Sequence, residues 1–226
     1  MHAPIAQPAE AHDLKSCQCG FKSHWGYLRL LEVFVSTAHL VLPSTLEGPW
    51  PEHSEIIYLG MGCFWGAEKK LWAIPGVIAT AVGYMGGTAE NPTYPLVCTG
   101  TTGHAEIVQV VYDPNVVKLY DILKVFWENH DPTQGNRQGN DIGTQYRSAI
   151  YFSNENQQQL AMSTKVAYEN VLMSKGLDPI TTEIASASDK KFWLAEDYHQ
   201  QYLIKNPNGY DCHAHTGIDL PDHESL

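Results

Sequence analysis

One short stretch of the chain gathers residue types that do covalent chemistry: Gly62-Cys63-Phe64-Trp65-Gly66. It follows an apolar run and precedes residues at helical spacing, which puts Cys63 at a strand-to-helix turn. A cysteine in the first turn of a helix lies near unpaired backbone N–H groups, and the dipole there favours a thiolate. The sequence therefore predicts a nucleophilic sulfur. Gly62 and Gly66 would let the backbone turn sharply and a substrate come close, while Phe64 and Trp65 offer an apolar platform beside the sulfur. The competing reading is a buried cysteine that fills a core gap, the common fate of this residue.

The elements around this turn can be read from hydropathy and breakers. Glu55 to Leu59 predicts a buried strand, broken by Gly62. Phe64, Ala67, Leu71 and Trp72 predict a helix that ends before Pro75-Gly76. Val77 to Tyr84 is a second strand and Ala105 to Tyr112 a third, separated by a long loop from Met85 to Gly103. Lys118 to Asn129 is an amphipathic helix with Leu119, Ile122, Leu123 and Phe126 on one face. A second long loop spans 130–146. Then come a strand over Arg147 to Phe152, a helix over Asn154 to Ser174 capped by Ser153 or Asn154, a strand over Ile180 to Ile184 and a helix over Lys191 to Leu203. The order β-α-β-β-α-β, then α-β-α, predicts an α+β fold: a ferredoxin-like split βαβ core with a mixed sheet, helices packed on it and an irregular C-terminal tail. Both long loops are expected to project near Cys63.

Residues 54–226 are expected to form one catalytic domain, with the tail starting at about residue 205. Residues 1–53 form an N-terminal extension, expected to be partly disordered or a flap, in which Arg29 to Val35 could make a short helix. The balance of 14 basic against 25 acidic residues gives a formal charge of −11. That charge repels phosphate backbones and anionic lipid, so neither nucleic acid nor a membrane is expected as a partner. Five cysteines (Cys17, Cys19, Cys63, Cys98 and Cys212) at wide spacing suit a reducing compartment better than a secreted disulfide framework. Leu28 to Pro43 carries Arg29, Glu32 and His39 and makes a poor signal peptide, so a cytoplasmic location is expected.

Several blocks, in one order, are similar to a known family. Gly62-Cys63-Phe64-Trp65-Gly66 resembles the active-site signature of the A-type peptide methionine sulfoxide reductases. Gly83-Tyr84-Met85-Gly86-Gly87 resembles the family's Gly-Tyr-x-Gly-Gly segment, and Asn91-Pro92-Thr93-Tyr94 and Thr102-Gly103-His104-Ala105-Glu106 are similar to its next two blocks. The stretches from Phe126 to Pro132 and from Gly139 to Ser148, and Glu196 to Leu203, resemble its later blocks. The resemblance runs from about residue 57 to 212.

It implies an enzyme that reduces methionine S-sulfoxide, free or in oxidised proteins, and leaves a sulfenic acid on Cys63. Glu106 matches the family's acid. Independently, Glu106 shares a strand face with Val108, Val110 and Tyr112, and a carboxyl in apolar surroundings holds its proton more tightly. Tyr94 and Tyr146 match two phenolic donors to the sulfoxide oxygen. Phe64 and Trp65 would cradle the substrate methyl group, and Asp141 matches a carboxylate that holds the site and the substrate backbone. His199 is expected to be structural, and His104 and His130 are assigned no chemistry.

Cys212, on a Gly/Pro-rich tail, is expected to resolve the sulfenic acid as a disulfide, with Cys98 as a rival. Thioredoxin, or dithiothreitol in vitro, would restore the thiols. Asp211 separates a tyrosine and a cysteine that are adjacent in many members, and no later cysteine follows. No bound cofactor or metal is expected, and the protein is expected to be a monomer. Two other readings stay open. A cysteine hydrolase would need a histidine beside the thiol, and the chain has 11 histidines. A structural zinc could use Cys17, Cys19, Cys212, His213 and His215, although neither cluster has the usual Cys-x₂₋₄-Cys spacing.

Overall fold

The computed structural model describes residues 38–212, 214–222 and 224. The expected Arg29 to Val35 helix and the thiols of Cys17 and Cys19 lie outside the described residues. The elements run β1 (Glu55–Met61), α1 (Phe64–Trp72), β2 (Val77–Met85), α2 (Tyr94–Cys98), β3 (Ala105–Tyr112), α3 (Leu119–Glu128), β4 (Arg137–Gln138) and β5 (Asp141–Ile142). They continue with β6 (Ser148–Phe152), α4 (Glu155–Ser174), β7 (Glu183–Ser186), β8 (Trp193–Leu194) and α5 (Tyr202–Lys205).

The main sheet has six strands in the order β7-β6-β1-β3-β2-β8. β1 runs antiparallel to both β3 and β6, β2 antiparallel to β3 and β8, and β7 parallel to β6. The sheet is therefore mixed, and β6-β1-β3-β2 with α1 and α3 is the split βαβ unit expected from the sequence. Side-chain alternation in β3 decides its two faces. Val108, Val110 and Tyr112 join the main core with α1 and α3, while Ala105 and Ile107 join a smaller cluster on the opposite face with Met85, Ala149 and Tyr151. α3 buries Leu119, Ile122, Leu123 and Phe126 against this core, and each such side chain contributes about 1.5–3 kcal/mol. Asn154 caps α4, its side chain accepting from Gln157 N at 2.9 Å.

Three expectations need correction. Lys191 to Leu203 is not one helix. It forms β8, a 3-10 turn over Asp197–His199 and the four-residue α5. The Gln200 side chain donates to the carbonyls of Val82 and Ala195 and accepts from Val82 N, so its amide completes the β2 edge instead of facing outward from a helix. The strand expected over Ile180 to Ile184 begins at Glu183, because Thr181 N and Oγ1 both donate to Pro132 O and hold the chain away from β6. The two long loops carry structure of their own: α2 in the first, and in the second the β4–β5 hairpin and a 3-10 turn over Thr144–Tyr146.

The described part of the N-terminal extension packs on the domain. His39 and Leu46 are buried. His39 Nε2 meets Thr80 on the helix-bearing face, whereas the Leu46 carbonyl accepts from Gln109, which alternates onto the other face. The segment thus wraps past β2 from one face of the sheet to the other.

Candidate active site

Cys63 is the N-cap residue of α1 and is 7% exposed. Gly62 before it has φ +88, and a Cβ there would lie 2.6 Å from Gln138 Cβ and Cγ. Only glycine combines that backbone with the close approach of the β4–β5 hairpin, so Gly62 fixes the turn that presents the sulfur. The Cys63 side chain does not cap the helix. Its terminus is served instead from β3, where the Glu106 carboxylate accepts the Phe64 N–H at 3.0 Å. Glu106 is 2% exposed.

This arrangement overturns the expectation of a helix-stabilised thiolate. Burial pushes the Cys63 thiol well above its ordinary value, the negative charge of Glu106 adds to that, and the N–H of Trp65 acts in the opposite, weaker sense. Asp141 and Cys212 also raise it. Burial and the neighbouring carboxylate thus both favour the protonated thiol.

Aromatic side chains enclose the pair. Phe64, Trp65, Tyr84, Tyr94 and Tyr146 are buried in the same core cluster as Cys63. The Phe64 ring lies 5.9 Å from that of Tyr84 and 5.1 Å from that of His199. The Trp65 indole stacks on Tyr202 at 3.8 Å with 15° between planes, and its Nε1–H donates to His199 Nδ1 at 2.9 Å. Because the indole only donates, His199 Nδ1 is the acceptor and its proton sits on Nε2. Burial lowers His199 to about 3, which keeps the ring neutral. Tyr94 lies 4.4 Å from His199 by ring centroids. His199 is thus the bracket that sets Trp65 and Tyr94 relative to one another, in line with its expected structural role.

Asp141, on β5, is 2% exposed, and both its oxygens accept from the Tyr210 hydroxyl at 3.1 Å. Tyr210 belongs to the tail, which returns across the N-terminal end of α1. Asp211 pairs with Lys69 at 3.2 Å, and the Cys212 thiol contacts Gln138 O at 3.7 Å. A Cβ on Gly66 would lie 2.6 Å from Asp211 Oδ1 and 3.3 Å from Cys212 O. Gly66 therefore admits the tail, not a substrate as its spacing suggested. Burial raises the Cys212 thiol, and Asp141 adds to the effect. Cys63 and Cys212 are not joined in a disulfide, and Cys98 on α2 also carries a thiol.

The contacts above tie Cys63, Phe64, Trp65, Tyr94, Glu106, Asp141 and Cys212 to one site, and Tyr146 is buried in the same core. The sequence reading missed the residues behind them. Glu196 accepts from Tyr94 N at 2.9 Å through one oxygen and from the Tyr84 hydroxyl at 2.8 Å through the other, which fixes the start of α2. Tyr202 and Tyr210 were also passed over. The signal was present, since Tyr84, Glu196 and Tyr202 fall inside the blocks quoted above and Tyr210 lies two residues before Cys212. His104 bonds Gly87 N and Ala89 O, and His130 bonds Phe126 O and Ser148 Oγ, so both hold loops. Among the described residues no group of three or more His, Cys, Asp or Glu side chains could hold a metal ion, and no helix is long and apolar enough to cross a membrane.

A family model described as peptide methionine sulfoxide reductase matches residues 55–223. The peptide methionine sulfoxide reductase MsrA of Brucella ovis is 55% identical over 193 residues, covering 85% of this chain and 88% of that protein. The corresponding protein of Brucella anthropi is 56% identical over 186 residues, covering 82% and 84%. Among solved structures, methionine sulfoxide reductase A of Corynebacterium diphtheriae superposes with a TM-score of 0.72 at 50% identity, covering 83% of this chain and 91% of that one. Mxr1 from Saccharomyces cerevisiae in reduced form gives 0.64 at 34% identity, covering 83% and 100%.

Proposed function

The chain belongs to the peptide methionine sulfoxide reductase family and is an oxidoreductase that reduces methionine sulfoxide, and on that premise we propose how its own residues carry the reaction. Cys63 is the nucleophile and Glu106 the proton donor. The observation that carries this reading is their shared place at the start of α1, where the Phe64 N–H holds Glu106 and the charge of Glu106 acts on the Cys63 thiol.

The sulfoxide methyl group lies against Phe64 and Trp65. Its oxygen faces the hydroxyls of Tyr94 and Tyr146 and the Glu106 carboxyl, where negative charge develops during attack. Cys63 sulfur bonds to the sulfoxide sulfur as the thiol proton passes to the Glu106 carboxylate and from there to the sulfoxide oxygen. In the net step the Cys63 thiol and the sulfoxide become a Cys63 sulfenic acid and a thioether. The substrate sulfur is reduced by two electrons and Cys63 is oxidised by two.

The Cys212 thiol then attacks the sulfenic sulfur, and a disulfide and one water result. An external dithiol of the thioredoxin type reduces the disulfide by exchange. Asp141 has two claims on it. It accepts from Tyr210 in the resting state and offers the same oxygens to the backbone N–H of a peptide substrate once the tail moves. Selectivity for the S epimer and action on both free and protein-bound methionine sulfoxide follow from the family resemblance. The histidine against Phe64 and Trp65, His199, has its acceptor nitrogen taken by the Trp65 N–H, which disfavours it as the base of a hydrolase.

The test is Cys63→Ser. It should abolish methionine formation even with excess dithiothreitol, and retained activity in the folded variant would remove Cys63 as the nucleophile.

A further inference from the structure

Glu68 is fully buried on α1, one turn beyond Trp65, and three donors converge on it. One oxygen accepts from Thr80 Oγ1 at 3.0 Å and from Gln201 Nε2 at 2.7 Å; the other accepts from Gln201 N at 2.9 Å. The direction of the chain behind Thr80 is fixed by backbone donors. Val41 N and Leu42 N both donate to His39 Nδ1, at 3.1 and 3.0 Å, so the His39 proton sits on Nε2. His39 Nε2–H then donates to Thr80 Oγ1 at 2.9 Å, and the Thr80 hydroxyl is left to donate to Glu68. Leu40 N closes the circuit on Gln201 Oε1 at 3.4 Å. Burial lowers His39 to about 4, so it stays neutral, while burial pushes Glu68 up to about 7 against the pull of its donors.

What this circuit holds is the turn beside the catalytic indole. Gln201 is in the left-handed region with φ +47, a conformation that a non-glycine residue adopts only at a cost. It stands between His199, which accepts the Trp65 N–H, and Tyr202, which stacks on the Trp65 ring. Trp65 and Glu68 lie on the same helix, three residues apart. One end of that turn of α1 is thus a wall of the site, and the other grips the backbone that clamps the wall.

We propose that Glu68 is a positioning residue for sulfoxide reduction: through the chain His39–Thr80–Glu68–Gln201 it fixes the His199–Tyr202 clamp on the Trp65 indole and so sets the width of the methyl pocket. The N-terminal extension, through His39, is then part of the catalytic apparatus. This inference rests on the reading of Trp65 as a wall of that pocket.

The experiment compares single-turnover reduction of the S-sulfoxides of methionine and ethionine, which differ by one methylene at the group the pocket holds. Rates are normalised to the folded, thiol-reduced protein. Glu68→Gln turns an amide N–H₂ toward the Gln201 donors, and Thr80→Val removes the hydroxyl at constant shape, so that a fold defect in the first leaves the second as the probe. Each should slow methionine sulfoxide reduction by about tenfold and cut the preference for methyl over ethyl by about threefold or more, because one lost hydrogen bond to a charged group and one methylene are worth that much. Thr80→Ser should restore both. Trp65→Phe is the control for the pocket. If Trp65→Phe shifts the preference and the Thr80 and Glu68 variants keep the wild-type value, the positioning role is refuted. If Trp65→Phe itself leaves the preference unchanged, the pocket reading falls and this inference falls with it.

Discussion

Replacing Gly66 with alanine separates the two halves of the proposed cycle. Gly66 lies inside α1, where glycine costs about 1 kcal/mol relative to alanine, so the substitution should favour the helix by roughly that amount. The added Cβ meets Asp211 Oδ1 at 2.6 Å, whereas ordinary contact begins at 3.4 Å. The Asp211 carboxylate must swing away by about 0.8 Å or more while the Cys212 carbonyl, at 3.3 Å, gives only slightly, so the Lys69–Asp211 pair that tethers the tail is loosened. Lys69 is exposed, so this pair contributes at most about 1 kcal/mol and the two stability effects nearly cancel.

The kinetic effects should not cancel. Once that tether is loose, a drift of Cys212 by about 1 Å costs its reaction with Cys63 up to about a hundredfold. In rapid-quench experiments on reduced protein, methionine release should keep its wild-type rate. Loss of the Cys212 thiol should lag ten- to a hundredfold behind, with a sulfenic acid on Cys63 that a dione reagent can trap. Disulfide formation at the wild-type rate would refute the placement of the tail. A matching loss in methionine release would mean that Gly66 serves the substrate after all.

Other consequences can be checked in the same preparations. Cys212→Ser should keep single-turnover reduction and lose thioredoxin-coupled turnover; if coupled turnover survives there and fails in Cys98→Ser, Cys98 is the resolver. Glu106→Gln keeps an acceptor for the Phe64 N–H but no acid proton, and should slow methionine release at neutral pH by about a hundredfold or more; a rate near wild type would place the acid elsewhere. Acid should unfold the protein at mild pH. His39 and His130 are lowered from 6.5 to about 4 and His199 to about 3, so each group's stabilisation is complete above pH 6.5 and is lost as pH falls through its folded value. Glu68, raised to about 7, acts in the opposite sense between pH 4.5 and 7. Three protons taken up against one released leave a net uptake of about two on unfolding near pH 5.5, or about 3 kcal/mol lost per pH unit. A denaturation free energy that is flat from pH 6.5 to 4.5 would contradict this.

The core unit was legible because its signals are local. β3 is a mostly apolar run stopped by Asp113-Pro114, Pro75-Gly76 stops α1, and the Cys63 turn is marked by Gly62 on one side and Phe64-Trp65 on the other. The hairpin that packs on Gly62 was also within reach, since Gly139-Asn140 between β4 and β5 is a two-residue hairpin signal inside what looked like a featureless loop. The segment 191–203 was not legible. Its spacing fits a helix, and the bonds that prevent one come from Val82 and Glu68, more than a hundred residues away. Long-range hydrogen bonds overrode local pattern there, and Gln201 entered the left-handed region as a result.

Glu68 itself was overlooked although its position was informative, for it lies three residues after Trp65 and four before Trp72 and so faces the same side as both. The protonation state of Cys63 also escaped the sequence. Spacing revealed the helix terminus, but the burial and the Glu106 charge that outweigh it exist only in the folded chain.

The most direct test of the account counts methionine. Reduced protein is mixed with excess methionine S-sulfoxide without any reductant, methionine is quantified per protein, and the disulfide is mapped by peptide mass spectrometry. The account predicts a burst of about one equivalent, with Cys63 joined to Cys212 and the Cys98 thiol retained. Folded, reduced protein that releases no methionine, or that ends with Cys63 bonded to another cysteine, would contradict it.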